Sequence, residues 1–426
     1  MKGKTVSTDD VFGINRDLPL NYVERKTADE VLIKNLVRKQ HLVIYGSSKQ
    51  GKTSLRKHCL KDDEYVVIHC SNRWDLGNLH EQVLKQAGYE LTLSKSYSTS
   101  GKQKIFARIK ASVLGASAEG GGEAERSTTN ERKSAPLELD STDVNDIISA
   151  LQNLDFKKYI VLEDFHYLPI ETQKDFSVAL KAFHENSDLS FIVIGVWLEE
   201  NRLSVYNGDL AGRLLPINAD KWTRQELEKV IGEGEELLNI AFHSDFKDNL
   251  LDYCHDSVFI VQEACNLCCS QERIYQTSSE LRVIGENVDC KRVVDDVVNQ
   301  SSGRFNSFLT NIAEGFQETT LQMHKWLLYP VLISDVGEIE NGFSQAKIRT
   351  IIQSVHPRGD DLNSGNVTQS LQSISSLQIK KDIKPMVLDY DQTNLRLRVV
   401  DKSFLIWIAQ QNRDELLDLV ELPKKP

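Results

Sequence analysis

The feature that most constrains the fold of this chain is a short loop that contains two glycines. Residues 46–53 read GSSKQGKT and fit the P-loop pattern G-x-x-x-x-G-K-[ST]. The glycines let successive backbone N–H groups point at one anion, and the helix that follows adds the positive end of its dipole. An apolar run at 41–45 and a helix-like run at 53–60 supply the order of strand, loop and helix that the motif requires. We therefore predict an α/β fold with a phosphate site after a central strand.

Two side chains of the loop have predicted roles of their own. Lys52 is expected to reach the β- and γ-phosphates of a nucleotide, and Thr53 to offer its hydroxyl to Mg²⁺. The predicted ligands are therefore ATP and Mg²⁺. The predicted nucleotide-binding residues of the loop are Gly46, Ser47, Ser48, Lys49, Gln50, Gly51, Lys52, Thr53 and Ser54. The alternative is a glycine-containing turn that binds nothing.

A pair of acidic residues follows a second apolar run. Residues 159–166 read YIVLEDFH, which places Glu163 and Asp164 at the end of a buried strand. Ligands of open α/β sheets bind at the carboxyl ends of the strands. We predict that both residues are catalytic: Glu163 holds Mg²⁺ together with Thr53, and Asp164 acts on the attacking water. The alternative is an exposed acidic pair after a buried strand.

Length, charge and hydropathy limit the classes of protein to which the chain can belong. Its 426 residues allow two or three domains, and its net charge of −11 argues against nonspecific coating of nucleic acid. The first residues have no signal-peptide pattern, and no apolar run approaches about 18 residues. These observations predict a soluble cytoplasmic protein that does not cross a membrane.

The cysteines raise the question of a metal site. The chain has seven, an odd and scattered set that does not make a disulfide framework. Cys265, Cys268 and Cys269 could be zinc ligands, but their spacing places them on one face of a helix, where buried thiols are ordinary core residues. We predict a core helix here.

These motifs, together with the run NYVER at 21–25, resemble those of the AAA+ superfamily. The resemblance covers about residues 11–300 and is strongest to origin-recognition-type initiators, transposon-targeting ATPases and STAND signalling ATPases. It implies a P-loop (ASCE/AAA+) parallel-sheet domain, an all-α lid, and contact of Arg25 with the nucleotide. The line LEDFHYL resembles the family line Asp-Glu-x-His-x-Leu with the two acids exchanged. Because Asp164 is one methylene shorter than the usual Glu, the resemblance implies slow hydrolysis, which suits a switch.

The resemblance also implies a residue that acts between subunits. Arg213 precedes a predicted strand, in a place similar to that of the family's arginine finger, where a guanidinium can bridge phosphate oxygens. Such an arginine completes the site of a neighbour, so a homo-oligomer is expected. The alternative is a salt bridge to Asp209 four residues earlier. Neither of the family's two sensor residues is assigned to a position here.

Three domains are predicted: an ATPase core at 1–220, a helical lid at 221–305 and a winged helix at 306–426. The core contains an insert at 92–138, either a β-hairpin or a disordered loop, with a basic arm and then an acidic arm (Glu119, Glu123, Glu125). In the winged helix, Ser364 or Asn366 is the expected cap of the third helix, and a hairpin at 385–400 is the wing.

The predicted function is an ATP-controlled switch that assembles and engages a protein partner or effector encoded elsewhere, as in a bacterial defence or regulatory system. The alternative is an initiator or transposition-type ATPase whose winged helix binds DNA. The third helix carries almost no basic residue before Lys380, and phosphate contacts supply most DNA affinity, which favours the protein partner. The basic residues of the wing are Lys384, Arg396 and Arg398.

Overall fold

The computed structural model describes residues 5–99, 101–110, 112–113, 135–317 and 319–425. Its strands are β1 (His41–Gly46), β2 (Tyr65–His69), β3 (Tyr89–Tyr97), β4 (Gln103–Ile109), β5 (Leu137–Leu139), β6 (Tyr159–Glu163), β7 (Phe191–Val196), β8 (Leu214–Asn218), β9 (Ile240–Phe242), β10 (Arg282–Ile284), β11 (Phe343–Ser344), β12 (Leu388–Asp391) and β13 (Arg396–Val399).

The α-helices are α1 (Thr8–Phe12), α2 (Asp29–Leu36), α3 (Lys52–Cys59), α4 (Leu76–Ala87), α5 (Val144–Asn153), α6 (Ile170–Asn186), α7 (Arg202–Tyr206), α8 (Arg224–Leu238), α9 (Ser244–Tyr253), α10 (Val258–Gln271), α11 (Cys290–Asn299), α12 (Ser302–Glu314), α13 (Met323–Ile333), α14 (Val336–Asn341), α15 (Gln345–Val355), α16 (Ser364–Lys380), α17 (Lys402–Gln410) and α18 (Arg413–Leu419). Short 3₁₀ helices span Phe165–Tyr167, Gly208–Leu210 and Gly359–Asp361. None of the described helices is long and apolar enough to cross a membrane.

The first part of the chain is built on a five-stranded sheet. Its order is β2-β6-β7-β1-β8, and every neighbouring pair is parallel. Strands buried on both faces read as continuous apolar runs, as β1, β6 and β7 do. Alternate residues of β1 pack in two layers: Ile44 lies among α2 and α3, and Val43 faces the layer that contains α6. The predicted α/β class with a parallel P-loop sheet is confirmed.

Helix α6 covers one face of this sheet. The sequence predicts an amphipathic helix here with Phe176, Leu180 and Phe183 on one side, and all three side chains are fully buried against the sheet. Phe176 and Phe183 both contact the ring of Phe191 in β7. These contacts pack α6 against β7, behind the site described below.

The predicted insert contains an antiparallel sheet in the order β3-β4-β5. Strand β4 holds part of the basic arm, and it pairs with β3 before it and with β5 after it, for example Ile105 opposite Leu93 and Leu139. The acidic arm that was predicted to face it lies outside the described residues. The sheet begins at Tyr89, three residues before the predicted start of the insert.

Helices α8 to α11 follow, with a small parallel pair of strands, β9 and β10. Cys265, Cys268 and Cys269 are fully buried in the core face of α10. Beyond them, α13, α15 and α16 pack with the three-stranded sheet β11-β13-β12. One continuous hydrophobic core joins these two regions, and it contains Phe246, Phe305, Leu371 and Trp407. The predicted domain limits stay a prediction.

The start of α16 differs from the prediction. Its cap is Asn363, whose extended backbone lets its side chain accept a bond from the backbone N–H of Asn366 (3.0 Å). Asn366 returns a bond to the backbone N–H of Asn363 (3.1 Å), so the two asparagines form a reciprocal capping box. Ser364 is already the first helical residue, and Asn366 is the third. The prediction of Ser364 or Asn366 as the cap is wrong.

Candidate functional site

The glycine-containing loop leaves the carboxyl end of β1 and enters α3. Gly46 has a φ of 150°, and a Cβ there would lie 2.8 Å from the backbone nitrogen of Asp220. Gly51 caps α3 in the left-handed region with a φ of 80°. Both positions therefore require glycine, one because of close backbone approach and the other because of its conformation. This local geometry aims the start of α3 at the centre of the loop, as the motif predicts.

Lys52 is the first residue of α3 and is buried under the loop. Its ammonium group donates to the backbone carbonyls of Gly46 (3.0 Å) and Ser47 (2.5 Å). Burial lowers the pKa of Lys52 to about 8, opposed by the nearby Asp220, Glu163 and Asp164 carboxylates. A phosphate group in the loop would be a charged acceptor and so a stronger partner than these carbonyls.

Thr53 and Glu163 meet where α3 begins and β6 ends. The Thr53 hydroxyl donates to Glu163 Oε2 (3.4 Å). Arg56 Nε binds the other carboxylate oxygen, Oε1 (3.0 Å), in an ion pair whose side chains are only 5% and 6% exposed. Burial raises the pKa of Glu163, and the neighbouring Arg56 opposes that shift. The Thr53 hydroxyl and Glu163 Oε2 are hard oxygen ligands of the kind that Mg²⁺ takes alongside nucleotide phosphates, so the residues present fit this ion.

Asp164 follows directly and points toward the mouth of the site. Its backbone is left-handed, with a φ of 59°, and its side chain is about half exposed (49%). His69 at the end of β2 lies 4.0 Å away. Burial raises the pKa of Asp164, while His69 and Lys52 oppose that shift. A partly exposed carboxylate beside a buried one can contact a water molecule that the buried one cannot.

These groups line one cavity of about 350 Å³, which is within the size range of small-molecule sites. The loop residues Ser48 to Ser54, Glu163 and Asp164 form one end. At the other end the walls are mostly apolar and aromatic, with Tyr22, Trp222 and Phe259. Five distant parts of the sequence thus meet in a cleft with a polar end and an apolar end.

The other loop residues are held by surrounding elements. The Ser47 N–H donates to Asp220 Oδ1 (2.7 Å), and the Ser48 N–H donates to the carbonyl of Val400 (2.8 Å) in the C-terminal region. The Lys49 ammonium lies 3.7 Å above the centre of the Phe259 ring. The Gln50 amide is 3.4 Å from the Ser257 hydroxyl. The loop is therefore in contact with both regions that follow the sheet.

Arg25 was predicted to contact the nucleotide. The described residues that line the cavity include Trp222 but not Arg25. The guanidinium of Arg25 is buried, stacks 4.2 Å from the Trp222 ring centre and donates to the carbonyl of Ala219 (2.9 Å). In this position it supports a wall of the cavity.

Arg213 lies at the far edge of the sheet. Its carbonyl accepts a bond from the N–H of His41, at the start of β1, whereas the loop follows the end of that strand. The rise of about 3.3 Å per residue in a strand separates the two edges by roughly 16 Å. The guanidinium pairs with Glu185 (2.7 Å) and donates to the backbone carbonyl of Asp209. The carboxylate of Asp209 instead binds Lys181 (2.7 Å), so the salt bridge to Asp209, which was the alternative to an arginine finger, is not formed.

Sequence reasoning missed four residues of the site: Arg56, His166, Asp220 and Trp222. Two of them carried a usable signal. Arg56 lies three residues after Thr53, hence on the same face of α3. Asp220 follows the end of β8, the position where strands of such sheets present ligands.

Comparison with known proteins bears on the fold. No protein-family model matches the sequence, and no curated protein matches it. A Walker-type ATPase of Pyrococcus abyssi matches in structure with a TM-score of 0.50 at 11% identity, over 94% of this chain and 100% of its own. The ORC2 protein of Aeropyrum pernix, solved as ADPNP-ADP complexes, matches with a TM-score of 0.45 at 14% identity, over 96% of both chains. The ORC1 protein of Aeropyrum pernix, solved in complex with DNA, matches with a TM-score of 0.42 at 8% identity, over 97% of both chains.

At 11% identity, the likeness to the Pyrococcus abyssi protein concerns the fold, and it extends over nearly the whole of both chains. The resemblance to P-loop ATPases drawn from the sequence agrees with it. The chain therefore has the fold of a Walker-type ATPase.

Proposed function

We propose that the chain binds ATP together with Mg²⁺ and hydrolyses it. The observation that carries this proposal is the meeting of Lys52, Thr53, Glu163 and Asp164 in one cavity at the carboxyl ends of β1 and β6. Lys52 and the loop N–H groups bind the phosphates, and Thr53 and Glu163 hold the ion. Mg²⁺ would neutralise charge on the β- and γ-phosphates. Asp164 orients the attacking water and accepts its proton, and its short side chain makes turnover slow.

The test is to measure nucleotide binding and phosphate release for the whole chain and two variants. Lys52→Ala removes the cation fixed at the phosphates, so ATP affinity should fall by roughly tenfold or more. Asp164→Asn should keep ATP bound and abolish phosphate release, because the amide cannot accept a proton from water. Lys34→Ala, which removes a lysine whose side chain is 71% exposed, is the matched control and should behave like the wild type.

Unchanged ATP affinity and turnover in Lys52→Ala would contradict the proposal. Circular dichroism would show whether each variant keeps the fold.

We propose further that the chain acts as an oligomer in which Arg213 completes the site of a neighbour. The support is the position of Arg213 at the edge of the sheet opposite its own loop, from which it cannot reach its own cavity. At 29% exposure its side chain is open to another subunit, and its ion pair with Glu185 can be exchanged for a phosphate.

The proposed output is a nucleotide-controlled contact with a protein partner. The C-terminal region that was predicted as a winged helix touches the loop through Val400. Two of its three basic wing residues are hydrogen-bonded within the chain: Arg396 donates to the carbonyl of Gly342 (2.8 Å), and Lys384 binds Asp382 (2.8 Å). Arg398 Nε lies 3.7 Å from the Asp391 carboxylate, beyond hydrogen-bonding distance. These contacts favour a protein partner over DNA, which stays the alternative. A role in a bacterial defence or regulatory system stays a prediction.

A further inference from the structure

His166 is a buried side chain whose hydrogen bonds are missing. It lies in the short helix Phe165–Tyr167, three residues after Glu163, and is 3% exposed. Neither ring nitrogen has a partner among the described residues, although the Gln173 amide reaches the backbone carbonyl of His166 (3.4 Å). Buried polar groups in proteins are nearly always hydrogen-bonded, so this imidazole requires an explanation.

Other buried histidines of the same region are ordinary core residues. His41 uses both ring nitrogens, one toward the carbonyl of Leu180 (3.0 Å) and the other toward the N–H of Phe191 (3.1 Å). His80 binds the carbonyl of Ser141 through Nδ1 (2.8 Å), while its Nε2 has no partner among the described residues. Both of these core histidines thus have at least one backbone hydrogen-bond partner. His166 differs from them because neither of its ring nitrogens has one.

His166 lies between two cavities, and its position limits what its ring could bind. It lines the cavity of the P-loop together with Lys52 and Asp164. It also lines a second, smaller cavity of about 20 Å³ at the contact with the C-terminal region, where Arg202 donates to Asp389 (2.5 Å). Burial, and to a smaller extent the cations Lys52 and Arg202, lower the pKa of His166 well below its usual range. The ring is therefore neutral, with one N–H donor and one acceptor nitrogen.

We propose that His166 is a specificity-determining residue whose ring N–H binds the terminal phosphate group of a nucleoside triphosphate. A diphosphate lacks that group and leaves the ring unpartnered, so the side chain distinguishes the two nucleotides. A hydrogen bond to a charged acceptor is among the stronger ones in proteins, and its loss is correspondingly large when the site is buried. This role rests on the proposed nucleotide binding.

The second cavity places His166 next to side chains that contact the C-terminal region. Arg202 also lies 3.4 Å from Glu199, whose other oxygen accepts from the Thr393 hydroxyl (2.6 Å). These buried charges join the end of β7 to the turn after β12. When His166 gains or loses a hydrogen-bond partner, this change therefore occurs next to the contact that holds the C-terminal region on the sheet domain.

The test compares two dissociation constants for the whole chain, one for a non-hydrolysable ATP analogue and one for ADP, both with Mg²⁺. His166→Phe keeps an aromatic ring and removes both nitrogens. It should weaken binding of the ATP analogue roughly tenfold or more and change ADP binding less than about twofold. His166→Gln keeps an amide donor and should recover part of the difference. His80→Phe, a buried histidine that does not line the cavity, is the matched control and should leave the ratio of the two constants unchanged.

A second readout follows the route to the C-terminal region. In the wild type, amide hydrogen exchange at residues 388–393 should differ between the complexes with the ATP analogue and with ADP. In His166→Phe that difference should disappear.

The outcomes separate this inference from the proposed function. A wild type that binds neither nucleotide overturns both. The role of His166 alone is overturned if the wild type binds both nucleotides and His166→Phe keeps the wild-type ratio of the two dissociation constants. Equal weakening of both nucleotides in His166→Phe has the same meaning. If His166→Phe does not fold, His166→Leu replaces it with the same expectation and the same contradicting result.

Discussion

At the scale of single residues, the ion pair of Arg56 and Glu163 decides the charge of the site. The two groups lie 3.0 Å apart and are almost entirely removed from water. Arg56 also stacks 4.7 Å from the Tyr65 ring centre, and its Nη1 has no partner among the described residues. Removing one member of a buried pair leaves the other charge uncompensated, which is the costly change. Arg56 therefore favours the ionised form of Glu163 and holds Oε1, which leaves Oε2 facing Thr53.

We predict that Arg56→Gln destabilises the sheet domain by about 3–5 kcal/mol near neutral pH. Burial already raises the pKa of Glu163, and without Arg56 it rises further. When a carboxyl group has a raised pKa in the folded state, the protein loses stability as pH rises from the unfolded-state pKa to the folded-state pKa of that group. The deficit of the variant should therefore shrink as pH falls toward about 4.3, the ordinary value for Glu. Urea denaturation across this pH range measures it.

The double variant Arg56→Gln, Glu163→Gln is the control for this prediction. It removes both charges, so most of the lost stability should return. The part of the stability deficit that changes with pH because of Glu163 should disappear. A single variant as stable as the wild type, or a deficit that grows on acidification, would contradict the role given to Arg56.

At the scale of elements, the start of α16 shows how a local contact sets a boundary. Asn363 and Asn366 each satisfy a backbone N–H of the other, and such caps stabilise a helix by about 1 kcal/mol. Helix α16 packs on α13 and on β12.

We predict that Asn363→Ala weakens the first turn of α16 by about 1 kcal/mol, which speeds amide exchange there roughly fivefold. Ser364→Ala is the matched control one residue away. It should have little effect, because Ser364 is inside the helix and does not cap it. Hydrogen exchange followed by mass spectrometry on peptides covering 364–370 measures both. Equal effects of the two variants would refute the assignment of the cap.

At the scale of the whole molecule, the loop, the helices α9 and α10 and the C-terminal region are connected. Ser48 binds Val400, and Lys402 donates to the carbonyl of Asp256 (3.3 Å). Val196, Ile379, Met386 and Val400 form a hydrophobic cluster between the end of β7 and the C-terminal region. A change in the conformation of the loop therefore affects the hydrophobic cluster between β7 and the C-terminal region, which lies beside buried charges.

The proposed oligomer makes a prediction at this scale. Asp164→Asn and Arg213→Ala should each hydrolyse ATP far more slowly than the wild type. If the finger acts across subunits, an equal mixture should recover activity, because about a quarter of the sites in a randomly mixed oligomer pair an intact Asp164 with a neighbour's intact Arg213. Steady-state phosphate release measures this recovery.

Glu185→Gln is the control for the mixture, since it removes the ion partner of Arg213 and keeps the guanidinium. It should retain turnover. A mixture no more active than either variant alone would show that Arg213 does not serve a neighbouring site.

Local chemistry accounts for the features that could be predicted from the amino-acid order alone. The apolar runs predict β1, β6 and β7, the period of the apolar residues predicts the buried face of α6, and the glycines predict the turn into α3. The roles of Lys52, Glu163, Asp164, Arg25 and Arg213 stay predictions, although the structure places the first three in one cavity.

Which distant groups meet depends on how the elements pack against one another. The pairing of Arg213 with Glu185, of Arg56 with Glu163 and of Ser48 with Val400 joins residues far apart in the chain. The environment of His166 depends on Arg202 and the C-terminal region as much as on its own neighbours. Periodicity and spacing report which face of an element is buried, but the partner of a buried charge or imidazole is fixed by how the elements pack, because its energy depends on desolvation and on groups brought in from elsewhere.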